Sequence, residues 1–202
     1  MPLAASKGKG IAFLISISGA GVSPAETTID EARGELKAAD RRPEVIGRIT
    51  ELMRLKYDFA RTRQGWSEYA AARDKVVARM GRAPDDFPGS PDDPYWQSIR
   101  ALYFYDPVPT LRELQIPVLA FFGELDDNIV AEKNQQVWES ALHTGGNRDY
   151  TLRILPGADH MMLESKIGNN AEMPTLQQFA PAYFVTVQDW LTKRIRGFRL
   201  PR

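Results

Sequence analysis

The sequence predicts an α/β fold, with a mostly parallel sheet of about three strands, flanking helices and a helical insertion. Three apolar runs of strand length occur at residues 11–18, 116–122 and 150–155. Segments of helical spacing separate these runs, and one predicted helix joins the last two. Strands that alternate with helices in this way are typical of a parallel sheet.

The first apolar run, residues 11–18, is rich in isoleucine and ends at Gly19. We expect it to form a central strand that is buried on both faces. Two lysines precede the run, as in a short signal peptide, but the serines within it favour a strand. No apolar stretch approaches the roughly 20 residues that a membrane helix needs, so we expect a cytoplasmic protein without a membrane partner.

A helical insertion is predicted between the first and second strands. Its four helices are expected at residues 24–39, 43–59, 66–80 and 95–104. Ser23 is the expected N-cap of the first helix, with Pro24 at the first helical position and Glu26 completing a capping box. The segment 82–94 is dense in Pro, Gly and Asp, which is typical of a loop.

The second half of the chain has the pattern of a crossover unit. A strand at 116–122 stops at Gly123, a helix is expected at 130–143, and a strand follows at 150–155. An amphipathic helix at 177–196 is expected to pack on the sheet. The chain therefore divides into an α/β core, formed by residues 1–23 and 106–202, and the helical insertion at residues 24–105.

Two polar signals follow the last two strands. One is Gly123-Glu124-Leu125-Asp126, and the other is the run from Leu155 that ends at Asp159-His160. Ligands gather at the carboxyl ends of parallel strands, so Asp126 and His160 are candidate catalytic residues. An aspartate can orient an imidazole that acts as a general base in acyl transfer. Taken singly, Asp126 also fits an N-cap and His160 a solvated loop residue, and Asp127 is an alternative acid.

Composition argues against several other functions. The 26 basic and 26 acidic residues balance, with no polybasic block, so we expect no nucleic-acid partner. The chain has no cysteine and two histidines, which argues against a metal site, and we expect no cofactor. The other histidine, His143, lies at the end of a predicted helix and is expected to interact with the dipole of that helix.

Residues 116–128, the helix after them and residues 150–160 resemble the last third of α/β-hydrolases. The likeness is greatest to bacterial serine hydrolases of the dienelactone-hydrolase and serine-aminopeptidase-like groups, whose triad runs serine, acid, histidine. By this resemblance Asp126 matches the acid and His160 the base. It also implies a partial α/β-hydrolase fold, a cap or lid at residues 24–105, and carboxylic esters or small amides as substrates.

The nucleophile of this family lies in a Gly-x-Ser-x-Gly turn, and no segment of the sequence has that pattern. The residues flanking Ser16 and Ser18 do not form such a turn, and we expect Ser18-Gly19-Ala20-Gly21 to end a strand. We therefore expect the serine to come from a separately encoded amino-terminal half, or the chain to be a truncated hydrolase.

Two alternatives remain from the sequence. One alternative is a fragment of an aspartate-nucleophile hydrolase, because related folds use a similar acid and histidine with an aspartate nucleophile. The other is a non-catalytic association module. Missing first strands would leave a sheet edge open, so we expect the isolated chain to form homo-oligomers or to be marginally stable.

Overall fold

The computed structural model describes residues 2–81, 86–168 and 172–195. Two compact units divide the chain, and the predicted α/β fold with a three-stranded parallel sheet is confirmed. One unit comprises Met1–Val22 and Pro107–Arg202, and the other comprises Ser23–Asp106. Among the described residues, no helix has the length and apolar character needed to cross a membrane.

The elements of the described chain, in order, are as follows. The first six are α1 (Pro2–Lys7), β1 (Leu14–Ile17), α2 (Pro24–Ala38), α3 (Pro43–Thr62), α4 (Trp66–Met80) and α5 (Tyr95–Leu102). The next five are α6 (Val108–Arg112), β2 (Val118–Gly123), α7 (Ala131–Thr144), β3 (Tyr150–Leu155) and α8 (Ala182–Ile195), with a 3-10 turn at Met173–Thr175.

The sheet has the order β1-β2-β3, with both pairs parallel. The expectation that the first strand is central was wrong, because β2 is the strand with a neighbour on each side among the described residues. All six residues of β2 are buried, whereas Ile17 of β1 is 46% exposed. The periodicity of the sequence predicts that an apolar strand forms. It does not predict where that strand lies in the sheet, because its position depends on pairing with distant residues.

Alternate residues of β2 point to two apolar layers. On one face Phe122 packs with Trp138 and Leu142 of α7. On the other, Phe121 packs with Trp190 of α8, so the predicted packing of the last helix on the sheet is observed. Both indole rings are nearly or fully buried. These layers hold the carboxyl ends of β2 and β3 in place, and with them the loops that follow.

The described part of the second unit contains the four helices α2 to α5. Ser23 accepts a hydrogen bond from the backbone N–H of Glu26 at 3.3 Å and so caps α2 as predicted. The ring of Trp96 is fully buried against Phe59 and Tyr69. Of the predicted loop at 82–94, residues 82–85 lie outside the described residues, as does residue 196 at the predicted end of the last helix.

Candidate acid–base site

Asp126 lies in the turn between β2 and α7, and its side chain is completely buried. Its Oδ1 accepts hydrogen bonds from the backbone N–H groups of Asn128 (2.9 Å) and Ile129 (2.8 Å). The carboxylate therefore organises its own turn, as an aspartate before a helix commonly does. These two bonds fix the direction in which its other oxygen points.

The structure brings His160 to this carboxylate from the loop after β3. Nδ1 of His160 lies 3.0 Å from Oδ2 and 3.2 Å from Oδ1 of Asp126. A carboxylate only accepts hydrogen bonds, so in the neutral ring the proton is on Nδ1 and Nε2 carries the free lone pair. The side chain is 33% exposed, and no described residue hydrogen-bonds to Nε2. This is the arrangement of a general base with its orienting acid.

The electrostatics of the site favour protonation of His160. The hydrogen bond to Asp126 raises the pKa of His160 above its ordinary value, and partial burial of the ring acts in the opposite direction. The negative charges of Asp126, Asp159 and Asp127 raise this pKa further. His160 is therefore a stronger base than a free imidazole.

Sequence reasoning missed the role of Asp159, which shapes the loop that carries His160. The buried Asp159 carboxylate accepts hydrogen bonds from the backbone N–H groups of Met161 (2.9 Å) and Leu163 (2.8 Å). Met162 between them has a left-handed conformation, with φ +63°. Aspartate commonly bonds to backbone two residues ahead, so the Asp159-His160 pair was the available signal.

A set of hydrogen bonds to Glu172 supports the turn that carries Asp126. Glu172 accepts hydrogen bonds from Ser165 Oγ (2.6 Å) and from the N–H of Ile167 (2.8 Å), and these bonds lower its pKa to about 2. The loop so held ends at Gly168, which has φ +82° and lies directly against the backbone of Leu125. No pattern in the sequence predicts this contact between Gly168 and Leu125.

The loop that carries Asp126 and the loop that carries His160 also meet at Gly123, the last residue of β2. A Cβ at this position would lie 2.6 Å from the carbonyl oxygen of Ala158 and would overlap that of Asp159. Since these are backbone atoms, they cannot move aside without moving the loop that bears His160. Glycine at position 123 thus permits the close approach of the two loops.

We expect Gly123→Ala to lower the free energy of unfolding of the α/β unit by about 1–3 kcal/mol, the usual cost of overpacking. Native-state hydrogen exchange would measure this in each unit separately. Gly47→Ala is the matched control, because Gly47 lies within α3 with nothing near its Cβ position, and we expect it to stabilise by about 0.5–1 kcal/mol. Equal effects of the two substitutions would contradict the proposed close packing.

The other residues singled out from the sequence lie as follows. Ser16 and Ser18 are buried at β1, and the Ser18 hydroxyl donates to the backbone carbonyl of His160 at 2.7 Å. Neither hydroxyl bonds to the ring of His160. His143 lies in the last turn of α7 beside Arg148. Within the described part of the chain, no cluster of three or more His, Cys, Asp or Glu residues could hold a metal ion.

No protein-family model matches this chain, and a search of curated proteins finds no match. Among solved structures, the chain is similar to the crystal structure of proline iminopeptidase from Mycobacterium smegmatis, with 14% identity and a TM-score of 0.44. It is also similar to the structure of MenH from S. aureus, with 16% identity and a TM-score of 0.36. The similarity covers 96% and 94% of this chain and 62% of each of those chains, so this chain spans less than two thirds of their length.

Proposed function

We propose that this chain carries the acid and base of an α/β-hydrolase-type serine hydrolase that acts on carboxylic esters or small amides. His160 is the general base and Asp126 orients it. The observation that supports this most is the 3.0 Å contact between Nδ1 and the buried Asp126 carboxylate, in a His160 side chain that is 33% exposed. In this proposal, the nucleophilic serine and the oxyanion donors lie outside the present sequence.

The proposed reaction follows from the ring's two nitrogens. Nε2 of His160 takes the proton of the serine hydroxyl while the serine oxygen attacks the carbonyl carbon of the substrate. The Asp126 carboxylate stabilises the imidazolium through Nδ1. Nε2 then returns the proton to the departing alkoxide or amine, leaving an acyl-serine. A water molecule repeats the sequence, giving its proton to Nε2 as it attacks, and the acid product and free serine result.

The test is to express this chain together with the polypeptide encoded immediately upstream and to treat the product with a fluorophosphonate. We expect the upstream part to contain a Gly-x-Ser-x-Gly turn whose serine is labelled, as measured by intact mass. His160→Ala should abolish labelling, whereas His143→Ala should not. An upstream region without such a turn, or a His160-dependent adduct on Ser16 or Ser18, would refute the proposal; an aspartate in the turn would indicate the aspartate-nucleophile class.

One observation favours the second candidate, an association module. The N–H of Leu14 donates to the carbonyl of Pro117, just before β2, and that of Ser18 donates to the carbonyl of Phe121 in β2, both at 2.9 Å. Because successive N–H groups along a strand alternate in direction, those of Ile15 and Ile17 point away from β2. No described strand pairs with this side of β1. An open edge of this kind pairs readily with a strand of another polypeptide.

We therefore expect the isolated chain to self-associate in a concentration-dependent way, measured by analytical ultracentrifugation. Ile17→Lys places a charge beside the open edge and should shift the chain towards monomer. Leu102→Lys, at a residue 66% exposed in the helical unit, is the control and should leave the mass unchanged. A wild-type chain that is monomeric and unfolds cooperatively would contradict the association module.

A further inference from the structure

Ser18 occupies an unusual place in the α/β unit. It follows the last residue of β1, is buried, and has a left-handed backbone with φ +46°. A residue with a Cβ adopts this conformation at an energetic cost, and glycine does not. The neighbouring residue is Gly19, yet the strained position holds a serine. Backbone strain of this kind persists where surrounding contacts over-determine it.

The only other described non-glycine residue with positive φ in this unit is Met162. Both residues contact or belong to the loop of His160: Met162 lies within the loop, and Ser18 bonds to it from the end of β1. Met162 belongs to the turn that Asp159 holds. Ser18 holds the same loop from β1, because its hydroxyl donates to the carbonyl oxygen of His160 at 2.7 Å.

The backbone of Ser18 is itself anchored. Its N–H donates to the carbonyl of Phe121 in β2 at 2.9 Å, so the residue is tied to the central strand. Ser18 thus links three parts of the site: its backbone ties the end of β1 to the strand that leads to Asp126, and its hydroxyl bonds to the main chain of His160. Its proton is directed at a backbone carbonyl, which is the geometry of a tether and not of a nucleophile paired with the imidazole.

We propose that Ser18 is a positioning residue for His160: its hydroxyl holds the His160 carbonyl so that the ring stays against the Asp126 carboxylate. This claim about the ring is independent of any reaction, and only its catalytic consequence rests on the proposed function. The left-handed conformation is then explained, because it directs the hydroxyl of a strand-end residue towards a loop 142 residues further along the chain.

The test compares Ser18→Ala with Ser18→Gly in the intact chain. Both remove the hydroxyl, but glycine adopts a positive φ without strain, so Ser18→Gly remains folded if Ser18→Ala does not. Ser6→Ala is the control, since the exposed Ser6 hydroxyl bonds locally to the carbonyl of Leu3. The readout is the NMR titration of His160. If the Ser18 hydroxyl only stabilised β1, its removal would leave this titration unchanged.

We expect both Ser18 variants to lower the pKa of His160 towards its ordinary value, because the ring spends less time against Asp126. Ser6→Ala should titrate as the wild type does. In the longer hydrolase, Ser18→Gly should slow fluorophosphonate labelling roughly tenfold to a hundredfold, the usual cost of a misplaced catalytic group. A wild-type His160 titration in Ser18→Gly would overturn the proposal, whatever the labelling experiment shows about the proposed function.

Discussion

Asp126→Asn is expected to slow fluorophosphonate labelling of the proposed serine by about 10⁴-fold, the loss typical when a triad aspartate becomes an amide, when this chain is expressed with the proposed upstream part. An asparagine at this position can turn its amide N–H₂ towards the ring. The ring would then be held with its proton on Nε2, which is the nitrogen that must accept the proton of the serine. The loss would come from the wrong tautomer and not from a collapsed site.

Asp127→Asn is the matched control for this substitution. It removes an equal charge one residue away, and Asp127 acts on His160 through its charge, without a hydrogen bond to the ring. We expect its labelling rate to change by less than about tenfold, since charge effects on a partly exposed group are modest. A larger loss in Asp127→Asn than in Asp126→Asn would transfer the role of the acid to Asp127.

In the chain as it stands, Asp126→Asn is expected to lower the pKa of His160 towards the ordinary value. The hydrogen bond that Nδ1 donates to Asp126 is the largest influence on this pKa, so its loss should exceed the effects of the remaining charges. NMR titration measures this directly. His143 is the other histidine in the sequence, so the variant His143→Ala assigns the His160 signal.

The same shift makes stability depend on pH in a stated direction. The folded-state pKa of His160 is raised above the unfolded value of about 6.5. The stabilisation from the charged pair is therefore fully present below about pH 6.5 and is lost as the pH rises through the folded-state pKa. In Asp126→Asn, the free energy of unfolding should no longer fall as the pH rises through the folded-state pKa of the wild type. A wild-type His160 that titrates below its ordinary value would show that burial outweighs the hydrogen bond, and would contradict the pairing.

Local patterns in the sequence were enough to predict several elements of this protein. The helix at residues 66–80 and the strand at residues 150–155 have the predicted bounds, because the periodicity of both segments and Gly81, which ends the helix, are local properties. The positions of Asp126 and His160 after consecutive strands also predicted that they meet, because parallel strands end at one edge of a sheet. Their contact is observed, and their catalytic role remains a proposal.

Tertiary structure alone decided the rest. Three features depend on pairings between distant segments. They are the position of β1 at the edge of the described strands, the hydrogen bond from Ser18 to the His160 carbonyl, and the support that Glu172 gives to the loop against Leu125. Composition and spacing carry no record of such pairings. A hydroxyl or carboxylate has the same local sequence signature whether it faces solvent or a backbone group more than a hundred residues away. The sequence by itself thus predicted the three strands and the main helices and placed Asp126 and His160 at one end of the sheet, whereas long-range hydrogen bonds and close backbone packing decided how firmly these residues are held.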